Sequence, residues 1–201
     1  MVGFGVLFAV IVVQIIVQIA SPVSDNQELG DAVTFPDQGR RHLMVGETFE
    51  LEQYNSFPPT SGPQAAIGVE PGIYGPDEPS PFNETPAFGS LLPILEQGGI
   101  VIYYDPAILG SDSVSELTAE IKAIRGEPFP RPNVVFTPIP GENSNGKAIY
   151  ATAWRHVLTV SQFDEDGRSA LAQFVARNPA GFYERIQFEA APRQEALSSA
   201  E

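Results

Sequence analysis

An α+β domain is the fold these 201 residues predict: a small mixed sheet with two main helices, a long ordered Pro/Gly-rich loop region, and one N-terminal transmembrane helix. Three observations lead there. Beyond residue 97 the apolar patterns run in the order strand, helix, strand, strand, helix, which places a small sheet against helices largely on one face. The 19 prolines and 18 glycines reach almost a fifth of the chain, so much of it forms turns and extended connections. The chain also opens on an uncharged apolar stretch of bilayer length. With 43% hydrophobic and 18% charged residues, one medium-sized core is affordable and wholesale disorder is excluded.

That stretch, Val2 to Ala20, reads VGFGVLFAVIVVQIIVQIA. At 1.5 Å per residue its helix is roughly 28 Å long, close to the hydrocarbon thickness of a bilayer. A cleavable signal has a shorter apolar region and small residues before the cut, whereas Gln18 stands three before the Ala20/Ser21 bond. Residues 1–21 are therefore expected to be an uncleaved anchor. No Lys or Arg precedes it and the first to follow are Arg40 and Arg41, so charge says little about orientation. The architecture places the body outside the cytoplasm. Gly3, Leu7, Val10, Gln14 and Gln18 share one helix stripe, where two amides and a small residue suit contact with integral membrane subunits better than contact with lipid. The plainer reading is that two uncharged amides are tolerated in a single anchor.

Residues 22–38 are polar and acidic and read as a tether to a domain spanning 39–186. From Tyr54 to Ser90 the breakers are too frequent for a long helix or central strand, and Phe57, Ile73, Tyr74, Phe82 and Phe88 are expected to pack this loop region down. GGIVIYYDP, 98–106, is a buried strand bounded by Gly and Pro. SDSVSELTAEIKAIRG, 111–126, has Val114, Leu117, Ile121 and Ile124 at helical spacing, with Gly126 as its stop. NVVFTPI is a second strand, KAIYATAWRHVLTV a third that can bend into two, and SQFDEDGRSALAQFVARN a helix with Ser161 as its expected cap. The tail, 187–201, drifts to Ala, Ser and Glu.

Charge and composition exclude several functions. Eleven Lys+Arg against 25 Asp+Glu give a net charge of -14, which repels nucleic acid and anionic headgroups. The absence of Cys removes disulfides, thiolate metal sites and cysteine nucleophiles. Ser61 and Ser161 lack a nucleophile-elbow pattern, and the acidic pairs Asp77/Glu78 and Asp164/Glu165 read as solvated turns and helix starts. Of the two histidines, His156 is expected to be half-exposed on a strand, while His42 is a structural or surface residue, a residual ligand or a partner contact. Tyr103, Tyr104 and Trp154 read as core aromatics. No catalytic constellation is recognisable and no cofactor is expected.

Three stretches together resemble the bacterial family catalogued as domain of unknown function 3105: DQGRRHL (37–43), YNSFPPTSGPQ with GIYGPDEP after it, and LEQGGIVIYYDP followed by ATAWRHVLTVSQFDE. The resemblance spans roughly 37–178 and implies a membrane-anchored extracytoplasmic protein with no established reaction. Members usually carry His at the end of the proline-rich loop and two His, four apart, before the apolar strand. Here those positions hold Gln64, Pro93 and Gln97. Pro offers no ligand and Gln only a weak oxygen donor, so a three-imidazole centre is lost, leaving His42 and Glu96 as residual donors. Gln64 is then a vestigial ligand position, free to hydrogen-bond Gln97. The expected function is a non-catalytic accessory subunit of a larger membrane complex, respiratory or photosynthetic. The alternative is an extracytoplasmic copper or zinc binding or delivery protein, and the third is an enzyme.

Overall fold

The computed structural model describes residues 32–125, 133–140 and 144–178. The stripe Gly3, Leu7, Val10, Gln14 and Gln18, the tether up to Asp31, the expected stop at Gly126 and the tail lie outside the described residues. Among the described residues no helix is long and apolar enough to cross a membrane. In chain order the elements are β1 (Val33–Thr34), α1 (Phe88–Glu96), β2 (Ile100–Tyr104), α2 (Pro106–Leu109), α3 (Ser111–Arg125), β3 (Val134–Pro138), β4 (Ile149–Ala153), β5 (His156–Val160) and α4 (Glu165–Arg177).

The five strands form one sheet in the order β1-β5-β4-β2-β3. β2 and β3 are parallel, joined through α2 and α3, and every other pairing is antiparallel, so the mixed α+β architecture stands. β2 is buried along its whole length because both faces of the sheet are covered. Its side chains alternate: Ile100, Ile102 and Tyr104 join Phe136, Leu117, Ile121, Leu171 and Phe174 on one face, while Val101 and Tyr103 join Leu91, Leu92, Leu95 and Tyr150 on the other. Two main helices, largely on one face, were the expectation. Instead α3 and α4 cover the first face, and α1 with the proline-rich loop covers the second. A five-residue strand with no polar side cannot leave either face to water.

Three further corrections have local causes. KAIYATAWRHVLTV is an antiparallel hairpin, β4 and β5, with Ala153 opposite His156 and a two-residue link in which Arg155 takes φ 68°. The cap of α4 is Asp164, whose Oδ1 accepts from Gly167 N at 2.9 Å, while the Ser161 hydroxyl meets Lys147 Nζ at 2.9 Å. The end of the presumed tether belongs to the domain, since Val33 and Thr34 pair with Val157 and His156. As expected, Phe57, Tyr74, Phe82 and Phe88 pack the loop region onto the second face, whereas Ile73 joins the core of the first.

Candidate functional site, a buried polar clamp

Ser56, Thr60, Ser61 and Gln64 are all buried, an unusual concentration of polar side chains for a loop. A buried loop must satisfy its backbone, and this one does so with partners distant in sequence. Arg155 N donates to Thr60 O at 3.2 Å, Gly62 N to Gly39 O at 2.9 Å, Gln64 N to Arg41 O at 2.9 Å, and Leu43 N to Gln64 O at 2.8 Å. Side chains complete the set: Ser61 Oγ accepts from Gln38 N at 3.0 Å, Ser56 and Thr60 share a hydrogen bond of 3.0 Å, and the Tyr54 hydroxyl donates to Pro63 O at 2.6 Å. The prolines bring no N–H that would need a partner. Gly62 sits at φ 120°, where a side chain would be strained and its Cβ would lie 3.2 Å from the Tyr54 ring.

On its other side the loop is bonded to α1, and Pro93 is the reason. Inside a helix Pro has no N–H to give the carbonyl four residues back, here Gly89. Ala65 N donates to that carbonyl at 2.9 Å, and Val69 N to Ser90 O at 3.2 Å. Pro93 is buried, and Gly68 passes so close that an added Cβ would come within 2.8 Å of the proline ring. At this position the chain thus holds a docking residue.

Gln64 is fully buried and its Nε2 donates to Glu96 Oε2. The expected partner Gln97 is not used. Glu96 is the last helical residue and Gln97 the C-cap, at φ -80° and ψ 11°, with an exposed side chain. Aiming the amide's N–H at a carboxylate is the favourable orientation, since the reverse would set two acceptors together. Its cost is that Gln64 Oε1 is buried with no hydrogen-bond partner, alone in this among the described side chains. Glu96 also faces His42, Nε2 at 3.9 Å, and Arg40, at 4.0 Å. Arg40 lies over the Trp154 ring at 4.8 Å, and the indole N–H reaches Asp37 at 3.2 Å.

These donors do not fit a copper or zinc centre. One imidazole, one carboxylate and one amide oxygen, with a guanidinium beside the carboxylate, make a poor donor set, and among the described residues no group of three His, Asp or Glu could hold a metal ion. A serine triad is not assembled either. Ser61 is bonded to Gln38 and Ser161 to Lys147, while His156, half-buried, meets Thr34 Oγ1 at 3.0 Å. Burial and the neighbouring Arg155 lower the His156 pKa below its ordinary 6.5. Beneath the loop Tyr103 is completely buried, which pushes its hydroxyl pKa up against the opposing hydrogen bond with Thr152. Asp77 and Glu78 lie near the Tyr104 hydroxyl, whose pKa is raised chiefly by burial.

Sequence reasoning passed over the docking roles of Pro93, Gly68 and Gly89, although a proline six residues into a helix is itself a sign of an unclaimed carbonyl. Fold and site together define an α+β domain whose sheet is sealed on one face by a proline-rich clamp. The chain belongs to the family described as Protein of unknown function (DUF3105), whose model matches residues 48–185. The match contains the loop and α1, and begins after DQGRRHL. No curated protein and no solved structure matches.

Proposed function

We propose that this is a non-catalytic, membrane-anchored accessory subunit whose body sits on the extracytoplasmic face of a larger membrane complex. One observation carries the reading: the polar groups of the proline-rich loop point inward, locking residues 38–43, α1 and the β4–β5 hairpin together, where a catalytic or ligand-carrying loop would aim them at a substrate. The loop serves shape. The apolar, uncharged run from Val2 to Ala20 supports the anchor, and its Gln14/Gln18 stripe supports docking against integral membrane subunits.

Gentle detergent extraction followed by native-size analysis tests this. The chain is expected to migrate with partners and to retain Met1 to Ala20. Gln14→Leu with Gln18→Leu should preserve insertion and weaken association, by about 0.5–2 kcal/mol per lost contact. Migration as a lone chain, or an N-terminus near Ser21, would contradict the proposal. The alternative is an extracytoplasmic copper or zinc carrier, a reading that the donor set of Gln64, Glu96 and His42 does not favour. Near-stoichiometric metal in protein purified without a His tag would favour it instead.

A further inference from the structure

Among the described residues five large apolar side chains are exposed, and three of them stand on the two segments that leave the His42–Gln64 bridge: Met44 at 76%, Val45 at 107% and Ile67 at 85%. The His42–Gln64 bridge is parallel, so the two segments leave it in the same direction, and three residues further along they carry Val45 and Ile67. Val45 tips a β-turn in which Glu47 N donates to Met44 O at 2.9 Å, with Gly46 at φ 83°. Turn tips ordinarily carry polar residues. Here the polar groups brace the base of the turn: the Glu47 carboxylate accepts from Met44 N at 3.0 Å and from Arg41 at 2.6 Å, contacts that hold its pKa below the usual carboxylate value. A braced turn with an apolar tip cannot fold its hydrophobic residues back onto the domain.

We propose that Met44, Val45 and Ile67 form a docking edge that enters the interface of the lipid bilayer and lays the domain against the membrane. This rests on the reading of Val2–Ala20 as the anchor. The chain outside the described residues supports that occupant. Eleven residues, Ser21 to Asp31, separate the apolar run from Ala32. Fully extended they span at most roughly 40 Å, similar to the width of a domain of this size, so the bilayer stays within reach of the edge at high effective concentration. Charge also selects this edge. The chain carries -14 overall, but Arg40, Arg41 and His42 stand just before the turn, and the pairs Arg41–Glu47 and Arg40–Glu96 match each arginine with a carboxylate. Apolar tips beside paired basic residues suit a headgroup boundary better than open water.

Because the chain has no Cys, a single introduced thiol reports one position. Full-length Val45→Cys, Ile67→Cys, Ile108→Cys and Val12→Cys, each carrying an environment-sensitive fluorophore, would be reconstituted in neutral phosphatidylcholine vesicles with and without brominated acyl chains. Ile108, 43% exposed, is the domain control, and Val12 reports the anchor. Labels at Val45 and Ile67 are expected to be blue-shifted and quenched severalfold more than the label at Ile108. Quenching equal to that at Ile108, with Val12 strongly quenched, overturns the docking edge and leaves the anchor standing. A blue shift without lipid quenching overturns it in favour of a protein partner or a second copy. An unquenched Val12 removes the anchor and the docking edge together.

Discussion

The two faces of the sheet are sealed by different physics. On one, α3 and α4 lay Leu117, Ile121, Leu171 and Phe174 on Ile100, Ile102, Val134 and Phe136, an apolar contact that needs no particular orientation. On the other, α1 shares the cover with a loop held by directional bonds and edge-to-face aromatic pairs, Phe57 with Tyr150 at 5.4 Å and with Phe88 at 5.7 Å. The helix-covered face supplies stability. The loop-covered face supplies position, because each bond joins segments distant in sequence and fixes where Gln64 and Arg40 stand.

The largest effect should separate the faces by stability. Phe174→Ala, at a site 1% exposed, should cost about 3–5 kcal/mol in urea unfolding of the full-length chain. Phe57→Ala, at a half-buried site on the loop face, should cost distinctly less. Equal costs would mean that the loop face is an ordinary core.

A sharper comparison comes from Pro93. In an ordinary helix interior, replacing Pro with Ala restores roughly 3 kcal/mol. Here the regained N–H competes with Ala65 for the Gly89 carbonyl and the ring loses its contact with Gly68. Pro93→Ala should therefore gain less than about 1 kcal/mol, with faster hydrogen exchange at the Ala65 amide. A full helical gain with Ala65 still protected would remove the docking role from the proline.

How much the sequence disclosed follows the same division. The helix-covered face was legible because IVIYY, VVF and the Leu117/Ile121 spacing are local signals that packing merely confirms. The loop face was legible only in its aromatics: Phe57, Phe82 and Phe88 follow no period yet were expected to pack it down, whereas bonds such as Gln38 N to Ser61 Oγ join residues that no local pattern relates. The identity of Gln64's partner turned on one residue, since the helix ends at Glu96 and the backbone turns away at Gln97. The α4 cap was ambiguous for a related reason: Ser161 and Asp164 both have capping chemistry, and Gly167, whose Cβ would meet Gln162 O at 2.4 Å, lets the turn close on the aspartate.

The smallest effect concerns the sheet edge where β1 joins β5. Because the folded His156 pKa is lowered, the unfolded chain binds the proton more readily, so this stability is complete above pH 6.5 and is lost as the pH falls through the folded value. His156→Gln should flatten the pH dependence of stability below 6.5. An unchanged slope would mean that the ring protonates without disturbing the edge.

The central claim, that Gln64 clamps the loop to α1, is tested most directly by a double-mutant cycle on urea unfolding with Gln64→Met and Glu96→Ala. Removing Glu96 alone leaves the buried amide N–H without its acceptor and should cost about 1–3 kcal/mol. In the Gln64→Met background the same change should cost little, because the thioether needs no partner and Glu96 is already partly exposed. The account predicts a coupling above about 1 kcal/mol. Additivity within about 0.5 kcal/mol would contradict it, showing that the amide and the carboxylate stand side by side without holding the loop in place.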